Sequence, residues 1–160
     1  EDQNVYNTAV VIRQGQLLGI YRKVKLLSGE EGIFKPGRKF PVFDVDELKF
    51  GINICNDTNF PECAEAVASQ NAALLICPSN NMMRIENAEK WKHKHNEIRA
   101  KRATEVGIWM LTSDVTRYSN GRVSYGPTAL INSKGSVVKQ IPLLEQGLLI
   151  HEIEIGSVNL

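Results

Sequence analysis

The segment Gly51-Ile52-Asn53-Ile54-Cys55-Asn56-Asp57-Thr58-Asn59-Phe60-Pro61-Glu62 constrains this chain more than any other. A largely apolar run ends on a cysteine, and a Phe-Pro-Glu helix start follows soon after. Proline suits the first turn of a helix, where its missing N–H leaves nothing unpaired. A strand that hands over to a helix in this way fits an open α/β arrangement, in which ligands bind at the C-terminal ends of the strands. A cysteine placed there, near a helix N-terminus, can have a lowered pKa and act as a thiolate nucleophile. The same position also suits an inert core thiol, since free cysteine is among the most buried residue types.

The rest of the chain reads as strands mixed with two substantial helices. Val5–Ile12 and Leu17–Val24 form a hairpin around Arg13-Gln14-Gly15-Gln16. Ser28–Arg38, with Gly29, Gly32, Pro36 and Gly37, is a loop. Phe40–Val45 and Leu48–Cys55 form a second strand–turn–strand unit around Asp46-Glu47. A helix runs from Phe60 to about Gln70, and Ala72–Cys77 is short enough for a buried strand. Asn87–Val106 reads as one long helix, with Trp91, His95, Ile98, Arg102 and Glu105 near one face. Ile108–Thr112 is another buried strand, and Ser119-Asn120-Gly121 is a turn. A hairpin joins Thr128–Asn132 to Ser136–Gln140, and Leu148–Ile155 alternates as a late strand. These elements argue an α/β fold with both hairpins and crossovers, arranged as a single domain over residues 1–160.

Composition excludes several function classes. The formal net charge of +1 gives no electrostatic reason to expect nucleic acid or a membrane surface. The basic stretch Lys90–Arg102 is interleaved with glutamates and reads as a solvated helix face. No apolar run approaches the ~20 residues that span a bilayer, and no signal peptide precedes the fold. The chain opens Glu1-Asp2-Gln3 without an initiator Met, so its start can be a processing boundary. The three cysteines, Cys55, Cys63 and Cys77, lack paired spacing, which points to a reducing, cytoplasmic compartment. Cys63 and Cys77 read as core residues. His93 and His95 stand two apart and so lie on different helix faces; no metal site and no cofactor are expected.

Several linked motifs resemble the nitrilase superfamily of carbon–nitrogen hydrolases. Gly51, Ile54, Cys55, Asp57, Phe60, Pro61 and Glu62 match its cysteine motif. Tyr21-Arg22-Lys23-Val24-Lys25-Leu26 resembles its lysine motif, with Lys25 in place of a histidine. Glu31, before Phe34-x-Pro36-Gly37, stands where the family carries a second, substrate-orienting glutamate. Arg102-Ala103-Thr104-Glu105 matches a helix near the site, with Val106 where Asn is usual. Gly126-Pro127-Thr128 replaces a common Gly-His-Ser, and Asn59 departs from a basic residue.

The resemblance implies an αββα sandwich, incomplete here at the N-terminus, and a Cys-Glu-Lys hydrolase of linear amides, N-carbamoyl compounds or nitriles. Cys55 would attack, Lys23 would stabilise developing charge and favour the thiolate, and the Asn56 backbone N–H would donate to the oxyanion. A small-molecule substrate and a homo-oligomer are the implied partners. Ser79 and Asn80, with Asn81, follow the Ala72–Cys77 strand and either line the substrate pocket or form a turn. The family's general-base glutamate belongs to a part of the fold that would precede Val5. The 160 residues alone are therefore expected not to turn over amides, and the alternative is a catalytically silent interaction domain.

Overall fold

The computed structural model describes residues 4–154. Its centre is a six-stranded sheet in the order β11 (Val137–Gln140), β10 (Ala129–Ile131), β7 (Trp109–Asp114), β5 (Leu74–Ser79), β4 (Leu48–Ile52), β3 (Val42–Val45). The middle strands β4, β5 and β7 run parallel. Antiparallel strands flank them: β3 beside β4, β10 beside β7, and β11 outermost. The turn between β3 and β4 places Asp46 and Glu47 at φ 48° and 68°, the conformation whose twist matches that of a two-residue hairpin.

Parallel neighbours need crossovers, and helices supply them. Helix α1 (Pro61–Ala68) links β4 to β5. Helices α2 (Ile85–Trp91) and α3 (Lys94–Val106) lie between β5 and β7. Ala64 and Val67 of α1 and Ala103 of α3 bury against Leu75, Met110 and Ile131 on one face of the sheet. On the other face Phe43, Phe50, Ile52 and Leu74 pack with Tyr21, Ala9 and Val11 of the hairpin β1 (Thr8–Arg13) and β2 (Gln16–Arg22). The alternation of a strand's side chains divides these cores, so Leu74 and Leu75 serve opposite faces. A three-stranded sheet of β6 (Met83–Arg84), β9 (Arg122–Tyr125) and β8 (Thr116–Ser119) lies to one side.

Two expectations are corrected. The stretch read as one helix is broken at Lys92-His93 into α2 and α3. The pieces pack against different partners, α2 on β6 and β9, α3 on α1, β7 and β10. The late strand is absent over Leu148–Glu154, and Ile155 lies outside the described residues. Leu148 and Ile150 are exposed there, and alternation without a pairing strand does not make a ladder. Among the described residues no helix is long and apolar enough to cross a membrane.

Candidate active site

The three parallel strands end on one side of the sheet, and each delivers polar side chains there. Cys55 follows β4, Ser79 closes β5 with Asn80 and Asn81 beyond it, and Asp114 closes β7. Cys55 opens a 3₁₀ helix, Cys55–Asn59, and its backbone sits at φ 47°, a left-handed conformation unusual for a residue with a side chain. Such strain persists only where the surroundings over-determine it. Here Asp57 supplies the restraint. Its fully buried carboxylate accepts the N–H of Ile54 at 2.8 Å, of Lys25 at 2.7 Å and of Val24 at 3.2 Å, and the Tyr21 hydroxyl at 2.7 Å. One side chain thereby ties the cysteine turn to the end of β2. Burial raises the Asp57 carboxyl above the usual range, and these four donors pull against that rise.

The tie brings Lys23 into the site. Lys23 is 2% exposed, and its Nζ lies 2.6 Å from Glu30 Oε2. Glu31, expected as the second, substrate-orienting glutamate, is exposed to solvent, and the glutamate that faces Lys23 is Glu30. The loop explains the choice: the Leu27 N–H donates to Glu30 Oε2 at 2.8 Å, and Asn7 Nδ2 donates to Glu30 Oε1 at 3.3 Å. Burial pushes the Glu30 carboxyl up, but the Leu27 N–H and the Lys23 ammonium outweigh it and hold the group below its ordinary value.

Lys23, Glu30, Cys55, Ser79 and Asn80 line one cleft of about 310 Å³, together with Thr8 of β1 and Asn7 before it. Asn56 contributes differently. Its side chain turns away to the carbonyls of Lys25 and Leu26, at 3.1 and 3.4 Å. Its backbone N–H belongs to the first turn of the 3₁₀ helix, where donors lack partners within the helix. Ser79 Oγ accepts from Arg99 at 3.0 Å, and Asn80 Oδ1 accepts the Met82 N–H at 3.3 Å in a local turn. A larger groove of about 740 Å³ lies beside Tyr6, Arg22, Lys35 and Pro36, with no cysteine in its lining.

The expectation of a depressed Cys55 pKa is also corrected. Burial pushes the thiol up, Cys77 and Asp114 add to the rise, and Lys23 opposes it without reversing it. Cys63 is buried and pushed up to about 12. His95 stacks on Trp91 with ring centroids 5.4 Å apart, and burial lowers it to about 4. Among the described residues no group of three or more His, Cys, Asp or Glu could hold a metal ion. Sequence reasoning left Asn81 between pocket and turn and missed Asp114 and Arg99. Asn81 touches the Cys55 sulfur, and the other two sit behind it, visible only once β5, β7 and α3 are assembled.

The family model for carbon–nitrogen hydrolases matches residues 1–160. A nitrilase of Pyrococcus abyssi is 30% identical over 97% of this chain and 56% of its own length. A glutamine-dependent NAD(+) synthetase of Thermotoga maritima is 38% identical over 98% of this chain and 27% of its own. The crystal structure of a carbon–nitrogen hydrolase from Helicobacter pylori G27 superposes with a TM-score of 0.82 at 22% identity, over 89% of this chain and 54% of that one. The chain thus spans about half the length of relatives such as the Pyrococcus protein. Its mixed sheet and helices are those of a nitrilase-superfamily fold. With the family model matching from the first residue to the last, this chain belongs to the carbon–nitrogen hydrolase family.

Proposed function

We propose that this chain carries the nucleophile and the charge-stabilising groups of a hydrolase acting on a small, non-peptide C–N bond, with a linear amide as the leading substrate class. The observation that carries the reading is the meeting of Cys55, Lys23 and Glu30 at one cleft, on the C-terminal side of parallel strands. The Cys55 sulfur attacks the amide carbon as its proton passes to a base. The oxygen gains negative charge, which the Lys23 ammonium and the Asn56 N–H would stabilise. The C–N bond breaks, the amine takes a proton and leaves, and a thioester remains. Water, deprotonated by a glutamate, releases the acid and restores the thiol.

A thiol that burial holds above its ordinary value needs a base to take its proton as it attacks. The family places that glutamate ahead of the first strand described here, so activity is proposed for the full-length protein. N-carbamoyl compounds and nitriles are the other substrates proposed. The protein is proposed to act in the cytoplasm as a homo-oligomer, and its domain to comprise all 160 residues. The same raised thiol favours a second reading, a catalytically silent interaction domain. Ammonia release from a panel of amides, carbamoyl amino acids and nitriles separates the two. Glutamine belongs in the panel, given the synthetase among the relatives. The enzyme reading expects release from at least one member; release from none supports the silent domain.

A further inference from the structure

The chemistry above leaves open what holds the Cys55 thiol. Its Sγ lies 3.5 Å from Oδ1 of the buried Asn81. A side-chain amide can present either its oxygen or its NH₂, and here Asp114 makes the choice. The Asp114 carboxylate accepts from Asn81 Nδ2 and also from the Asn81 backbone N–H, the latter at 3.2 Å. Turning the amide over would set Oδ1 against a carboxylate, so Oδ1 must face the sulfur. Asp114 is itself fixed. Arg99 Nη2 lies 3.4 Å from its Oδ2, with the two side chains 3% and 0% exposed. Arg99 also donates to Ser79 Oγ and to the Pro127 carbonyl, each at 3.0 Å. A hydrogen-bonded chain thus runs from α3 through β7 to the loop after β5 and ends on the nucleophile.

We propose that Asn81 is a positioning residue for Cys55: oriented by Asp114 and Arg99, its Oδ1 accepts the Sγ–H and holds the resting nucleophile as a protonated thiol at the cleft. The inference deepens the reading of Cys55 as nucleophile and rests on it. An acceptor on the S–H stabilises thiol over thiolate. The proton stays on sulfur until a base removes it as the S–C bond forms. The other groups acting on the sulfur are Lys23 just after β2, Cys77 from β5, Asp114 from β7 and the Asn80 N–H. Of these, Asp114 also loses a donor when the Asn81 side chain is removed, while Lys23, Cys77 and the Asn80 N–H remain as they are.

The test is the rate of iodoacetamide alkylation of Cys55 in the full-length protein from about pH 6 to about pH 11, resolved from Cys63 and Cys77 by peptide mass spectrometry. In Asn81→Ala the ionisation midpoint is expected to fall by roughly half to one pH unit, the size of one neutral hydrogen bond. Asn81→Leu keeps the volume and lacks the acceptor; it gives the same answer should the alanine variant fail to fold. A midpoint unchanged or raised in Asn81→Leu overturns the proposal; water admitted by the smaller alanine also lowers a thiol that burial raises, so the leucine variant decides. The plateau rate is a separate readout. A Cys55 that labels no faster than Cys63 contradicts the nucleophile reading, while the midpoint comparison still decides the role of Asn81.

Discussion

Asp57 makes no contact with the cleft, yet four donors converge on its carboxylate and set the turn that presents Cys55. Replacing it with alanine would leave three backbone N–H groups and a buried phenol without their acceptor. Each orphaned buried donor costs on the order of 1–3 kcal/mol, though relaxation and water recover part of it. Asp57→Ala is therefore expected to destabilise the fold by about 3–5 kcal/mol, read from the denaturant midpoint at unchanged slope. A loss below about 1 kcal/mol would mean that the turn is held by something else. At this scale the sequence was legible where residue type decides. Cys55, Lys23 and Asp57 stood out from their motifs, and the first two line the cleft. It was not legible between Glu30 and Glu31, adjacent residues of identical chemistry. Only the fold of the Leu27–Glu30 turn, closed by a 2.8 Å hydrogen bond from the Leu27 N–H, decides which one faces the lysine.

Among the elements, the contact of β4 with α1 sets how closely the nucleophile strand approaches its helix. Gly51 faces α1, and a Cβ placed there would lie 2.4 Å from Val67 Cγ1. A branched core side chain has little room to retreat, and overpacking of this kind costs typically ~1–3 kcal/mol. Gly51→Ala should lower the thermal midpoint, and Val67→Ala in the same chain should recover part of the loss. Additive losses in the double variant would contradict this account. The strands and turns were legible because short apolar runs and turn residues report local preference. The helix break at Lys92-His93 was not, because it serves packing: α2 meets β6 and β9 while α3 meets the main sheet and α1. The alternation over Leu148–Glu154 misled for the opposite reason, since a strand forms only against a partner.

For the whole molecule, one face stands out. Val10, Ile12, Leu17 and Ile20 of the β1–β2 hairpin are exposed, and Val10 pairs with Ile20, Ile12 with Leu17. Together they form a contiguous exposed apolar face. It lies on the layer remote from α1 and α3, in a chain that spans about half the length of relatives such as the Pyrococcus nitrilase. Activity is accordingly an attribute to test on the full-length protein. As the proposed nucleophile, Cys55 should become acylated during turnover. The most direct measurement mixes the full-length protein with whichever amide of the panel releases ammonia fastest, quenches in acid, and maps the peptides by mass. The acyl mass is expected on the Cys55 peptide, with both adduct and ammonia release lost in Cys55→Ala. Turnover that persists in Cys55→Ala, or an adduct on any other residue, would contradict the nucleophile reading.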